Sequence, residues 1–119
     1  MSTAAQIVVA LVALEHAYFL TLEMFLWTKP LGLASFRNTR EFAESTKALA
    51  ANQGLYNGFL AAGLVYSLVH PVAAAGHDIR IFFLCCVVAA GVFAAMTFSK
   101  RVFFLQSVPA LIALALTVF

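Results

Sequence analysis

Charge is what this sequence has least of. Asp, Glu, Lys and Arg together make up 10% of its 119 residues, while 64% are hydrophobic; soluble globular chains carry about a quarter charged residues. That shortage excludes an ordinary soluble domain. The formal net charge of +2, with the bases dispersed, also argues against a nucleic-acid partner. Cysteine is nearly missing: Cys85 and Cys86 are the only two, and they are neighbours. Adjacent cysteines rarely meet disulfide geometry, and two thiols without nearby ligands make a poor metal site. They read as small packing residues, and no metal site is expected. Absent too are a phosphate-binding glycine loop, a His-Glu-x-x-His pair, a nucleophile elbow and a dinucleotide fingerprint. The N-terminus lacks the basic stretch of a cleavable signal, so the first apolar run is read as retained.

What the chain has in abundance is apolar length. A transmembrane helix needs about 20 mostly apolar residues, and four stretches come close: 7–27, 52–69, 79–98 and 102–119. The expected fold is all-α, one membrane domain over 1–119, a four-helix transmembrane bundle. His70-Pro71 ends the second span, because proline disfavours a helical residue before it, and Gly76-His77-Asp78 completes that turn. Lys100-Arg101 separates the last two spans so briefly that they must be antiparallel neighbours. Lys29, Arg37, Arg40, Lys47, Lys100 and Arg101 fall on one side and Arg80 alone on the other. The positive-inside rule then puts both basic loops in the cytoplasm and both termini outside.

Only the first connection is long. Asn38-Thr39-Arg40-Glu41 has the spacing of a capping box, Arg40 and Glu44 form an i,i+4 pair, and Phe42 and Leu49 share a face. Together they predict a short amphipathic helix on the cytoplasmic surface before span two.

Within the membrane the polar residues are few and grouped. Asn52-Gln53-Gly54-Leu55-Tyr56-Asn57-Gly58 opens span two. At about 100° per residue, Asn52, Tyr56, Gln53 and Asn57 fall at roughly 0°, 40°, 100° and 140°. Gly54, Gly58 and Ala62 lie beyond them, a small-residue row that suits close helix packing and a homo-oligomer. Glu15, His16 and Glu23 share one face of span one, where a charge at the bilayer centre costs at least about 2.5 kcal/mol, so that face should point into the bundle. Glu23 lies roughly 6 Å above the cytoplasmic boundary by helical rise. Tyr56, Asn57, Thr97, Gln106 and Ser107 come to nearly the same depth. This layer predicts a polar chamber lined by Glu23, Asn52, Gln53, Tyr56, Asn57 and Gln106. Pro109 adds to it by freeing the carbonyl of Leu105. Glu15 and His16 lie nearer mid-bilayer, where a neutral hydrogen-bond donor, an ion pair and part of a proton or metal path all remain open readings.

Leu14-Glu15-His16, Glu23-Met24-Phe25-Leu26-Trp27, the run from Asn52 to Leu64, the Ala90-Gly91 and Thr97 region, and Gln106 with Pro109-Ala110 resemble the small bacterial membrane proteins catalogued as domain of unknown function 1304. The resemblance covers nearly the whole chain. It implies a four-helix protein of the bacterial inner membrane and no assigned chemistry. A fainter similarity is to the membrane-associated eicosanoid and glutathione metabolism superfamily, four-span trimers that bind glutathione between subunits. There Asn52 and Tyr56 would correspond to an asparagine and a tyrosine in use, but Leu55 stands where an acid is expected and Ala48 where an arginine is.

Three functions therefore compete. One is binding or transport of a small polar solute or lipid head group, with Glu23 as the charged anchor. The second is an oligomeric membrane enzyme with a glutathione-type cofactor. The third is a structural or partner-docking subunit. The cofactor is unknown.

Overall fold

The computed structural model describes residues 1–119, and the chain is all-α. Helix α1 runs Thr3–Met24, α2 Pro30–Phe36, α3 Arg40–Val69 and α4 Ala73–Thr97. The last helix, α5 (Lys100–Val118), carries one π turn at Phe103–Ser107 just before Pro109. Three of these helices, α1, α4 and α5, are long and apolar enough to cross a membrane. The 30-residue α3 is not among them, because Asn52, Gln53 and Asn57 dilute its apolar half and the charged residues 40–47 occupy its start.

The chain divides into two compact units, Met1–Leu14 with Leu60–Phe119, and Glu15–Phe59. In the first unit the core is Val9, Val12, Ala13, Leu64, Leu84, Val87, Ala110 and Ala113. These side chains are small or branched. Lipid tails are as apolar as leucine, so membrane helices are held by packing contacts and interhelical hydrogen bonds rather than by escape from water. Val88, in α4, supplies one such bond through its carbonyl, which accepts from Ser107 Oγ of α5 at 3.0 Å. The closeness of α4 and α5 depends on Gly91, since a Cβ there would collide with the Ser107 hydroxyl and lie 3.0 Å from its amide nitrogen.

At its far end α3 stops at Val69, one residue before His70-Pro71, as proline requires. The next helix starts earlier than the sequence suggests. Gly76, His77 and Asp78, expected in the turn, lie within the first turns of α4. Gly76 serves there as a contact point: a Cβ on it would sit 2.7 Å from the Ser67 carbonyl oxygen. That same carbonyl accepts from the Arg80 guanidinium at 3.1 Å. Arg80 is buried and supplies a donor and a positive charge to the last turn of α3, where carbonyls lack helical partners and the helix dipole is negative.

In the second unit the connection after α1 folds back on itself. Pro30 takes the first helical position of α2, where its missing N–H costs nothing. Gly32 lies against the Leu26 carbonyl, the Trp27 indole N–H donates to Thr46 Oγ1 at 3.1 Å, and the Trp27 and Phe36 rings lie 4.8 Å apart. Helix α2 ends with Arg37 in the left-handed region, φ 56°. Arg37 N–H bonds to the Ala34 carbonyl and Asn38 N–H to that of Leu33, the paired pattern of a Schellman end.

These bonds correct the expected capping box. Asn38 is committed to the end of α2, and Thr39 caps α3 instead, its Oγ1 accepting from Phe42 N–H at 3.2 Å. Phe42 and Leu49 belong to α3 itself, so the separate short helix is α2, and no break precedes residue 52. Glu44 pairs with Lys47 at 3.5 Å rather than with Arg40. A left-handed conformation costs a non-glycine residue about 1–2 kcal/mol. Arg37→Gly should therefore raise unfolding stability by about 1 kcal/mol, read as a higher Tm in detergent.

Candidate functional site

The second unit brings together two of the polar side chains that the sequence singles out. Asn57 Nδ2 donates to Glu23 Oε1. Both side chains are buried, Glu23 at 8% and Asn57 at 5% exposure, so this carboxylate and amide meet away from solvent. Glycine makes the meeting possible. A Cβ on Gly54 would lie 2.7 Å from Met24 Cγ and 3.0 Å from Glu23 Cβ, and one on Gly58 would strike the Leu20 side chain. Here the backbone of α3 rides directly on α1, which brings the short asparagine within reach of the carboxylate.

The glycine row therefore works inside the chain, between α3 and α1. Ala62, the next member of that row, is exposed. Of the four polar residues opening span two, Asn57 is nearest the glycines on the helical wheel and is the one turned inward. Asn52 and Gln53 are exposed, and the Asn52 amide donates back to the Ala48 carbonyl of its own helix at 2.9 Å. Tyr56 is 55% exposed, its ring 6.2 Å from that of Phe59.

The remaining predicted residues are placed as follows. His16 is fully buried and meets the Phe19 ring edge-on at 5.4 Å. Glu15 is half-buried, and its Oε1 is covered without a hydrogen-bond partner. Gln106 belongs to the other unit and is buried in the π turn beside Ser107. That turn arises because Pro109 has no amide hydrogen for the ladder; the Val108 amide reaches the Phe103 carbonyl, one residue further than in an α-helix. Thr97 is exposed, its hydroxyl bonded to the Phe93 carbonyl at 2.7 Å. No three His, Cys, Asp or Glu side chains converge on a point that could hold a metal ion.

Chemically, a buried carboxylate held by one neutral amide donor is an acceptor with a second oxygen to offer. Its natural complement is a donor-rich group such as an ammonium. The sequence reading missed the Arg80–Ser67 and Ser107–Val88 bonds. For the second pair a signal was present, since a lone glycine within an apolar helix marks a close backbone approach, and Gly91 is such a residue.

Comparison with known proteins gives a family without an assigned activity. A family model described as "Protein of unknown function (DUF1304)" matches residues 10–118. The uncharacterized protein YpaA of Lactococcus lactis subsp. lactis (strain IL1403) is 30% identical over 106 residues, which cover 87% of each chain. No solved structure matches.

Proposed function

The chain belongs to the DUF1304 family of proteins of unknown function, and on that footing we propose that it binds or transports a small polar solute or lipid head group at the Glu23–Asn57 pair. The observation that carries this reading is the pair itself: a carboxylate in an apolar helix, buried, with an amide from another helix fixed on one oxygen. Ionisable side chains within membrane helices are expensive and usually mark a pathway or ligand site. The solute class that suits Glu23 is one bearing an ammonium group.

In this reading the protein sits in the bacterial inner membrane with four crossings and both termini outside. The fourth crossing is the apolar part of α3, residues 52–69, about 27 Å long by helical rise against a hydrocarbon core of about 30 Å. Its inward polar group is matched by Glu23, which lowers the penalty for crossing. The six bases on the cytoplasmic side support the orientation, and Glu23 then opens toward the cytoplasm.

Ethanolamine and N-methylethanolamine, titrated to tens of millimolar into the detergent-purified protein, are the first probes. Wild type should rise in Tm, since ligand at about 100 times Kd adds about 2.7 kcal/mol of stability. Glu23→Gln should keep the Asn57 contact and lose the rise, measured against its own ligand-free Tm. An equal rise in wild type and Glu23→Gln, or none in wild type with either amine, would refute the ammonium site.

A further inference from the structure

We propose that Arg80 holds the phosphate of a bound phospholipid whose head group is net negative, at the turn from α3 into α4. The inference does not depend on the Glu23–Asn57 site, which belongs to the other compact unit, or on a crossing by α3. It needs only α4 in the membrane, and α4 is one of the helices long and apolar enough to cross.

Arg80 is 4% exposed, and it stays charged, since a guanidinium does not deprotonate in proteins. Its Nη2 donates to the Ser67 carbonyl at 3.1 Å, while its Nε is buried with no hydrogen-bond partner. A buried charge needs a counter-charge, and the side chains of this unit supply none. Asp78 is the sole acidic side chain among Met1–Leu14 and Leu60–Phe119. It stands two positions from Arg80, an interval at which helical side chains do not face each other, and it pairs with His77 at 3.5 Å instead.

The backbone leaves the balance positive. The C-terminus of α3 carries roughly half a negative charge and the N-terminus of α4 roughly half a positive one. The two helix ends at this turn therefore cancel, and the charge of the guanidinium remains. The first turn of α4 has neither a capping side chain nor an acidic residue, so the amides of Ala73, Ala74 and Ala75 are further donors at the same end. Arg80 is directed toward that end: the Ser67 carbonyl it bonds is the one that lies against Gly76.

Depth and surroundings select a lipid. With 25 residues, α4 is about 37 Å long by helical rise, against a hydrocarbon core of about 30 Å, so its ends reach the head-group layer. Arginine keeps its stem among apolar groups and extends its head toward that layer, and Ser67 lies two residues from the end of α3. Val65, Val69 and Val72 are exposed about the turn, a surface that suits acyl chains and offers nothing to a hydrated free anion. Phosphate oxygens accept charge-assisted bonds from a guanidinium. A zwitterionic head group would bring its own positive charge into the same field, whereas a net negative one neutralises Arg80.

Native mass spectra of the detergent-purified, full-length chain with phosphatidylglycerol or phosphatidylcholine of matched acyl chains test this. The parent chain should retain one phosphatidylglycerol at least about fivefold more tightly than phosphatidylcholine, the gain expected of one basic side chain near anionic lipid. Arg80→Gln, which keeps a donor for the Ser67 carbonyl and loses the charge, should retain both lipids alike. Arg101→Gln, at an exposed base of the same unit, and Glu23→Gln should both keep the parental preference. Millimolar inorganic phosphate should leave the Tm unchanged where phosphatidylglycerol raises it. If Arg80→Gln does not fold, the parent chain and Arg101→Gln decide by themselves. Equal retention of the two lipids by the parent chain, an undiminished preference in Arg80→Gln, loss of the preference in Arg101→Gln, or a Tm rise with inorganic phosphate equal to that with the lipid would each overturn the proposal.

Discussion

Gly91→Leu should lose a large share of this protein's stability. A Cβ at this position already meets the Ser107 hydroxyl and comes within 3.0 Å of the Ser107 amide nitrogen and 3.1 Å of its Cβ, so a leucine can be accepted only if α5 moves off α4. Overpacking of a filled interior costs about 1–3 kcal/mol or more. Separation of the helices would also break the Ser107–Val88 bond, a further loss of about 1 kcal/mol. Against a typical net stability of about 5–15 kcal/mol, a combined loss of about 4 kcal/mol is severe. Gly91→Ala should be milder, and Ser107→Ala alone should cost about 1 kcal/mol. SDS-titrated unfolding followed by helix content measures all three. Retention of parental stability by Gly91→Leu would show that α4 and α5 do not need this approach.

The same contact shows what a sequence can and cannot convey about such a protein. Breaks in the helices are local events with local signals: His70-Pro71 marks the end of α3, and α4 and α5 meet through Phe98 and Ser99 beside the expected Lys100-Arg101 boundary. The start of α2 is equally local, since Pro30 at a first helical position is a recognised signal. With α3 starting at Arg40, the residue in cap position is Thr39, whose hydroxyl accepts from Phe42 N–H, and not Asn38.

Which side of α3 faces inward was not a local matter. A helical wheel fixes the angles between side chains and leaves the rotation of the helix free. Two rows on α3 had claims on the interior, the polar side chains for their bonding and the glycines for their size. The glycines face α1, because only a bare backbone permits the approach seen at Gly54 and Gly58, and Asn57 follows them as the polar residue nearest that row. Asn52, Gln53 and Tyr56 turn outward as a consequence. The π turn likewise depends on more than Pro109: the loss of one amide hydrogen permits a widened turn, while the contact between Ser107 and α4 selects where its side chains point.

Asn57→Leu is expected to be the most damaging change at the candidate site, and the reason lies in the carboxylate it abandons. Glu23 would remain buried with its amide donor gone. Leaving a buried polar acceptor unsatisfied costs about 1–3 kcal/mol, more when the group is charged. Glu23→Gln retains an acceptor for Asn57 at nearly the same position, and its cost should stay below about 1.5 kcal/mol. The discriminating variant is the double change Glu23→Leu with Asn57→Leu. It removes donor and acceptor together, and replacing both partners by apolar groups is close to neutral. The double variant should therefore be more stable than Asn57→Leu alone, with a coupling of about 1–3 kcal/mol in the cycle. Additive losses would mean that the two side chains do not interact in the membrane. A large coupling together with unchanged amine binding in Glu23→Gln would assign the pair to helix pairing alone. A large coupling with amine binding lost in Glu23→Gln would join both roles in one carboxylate, one oxygen tying α1 to α3 and the other holding the solute.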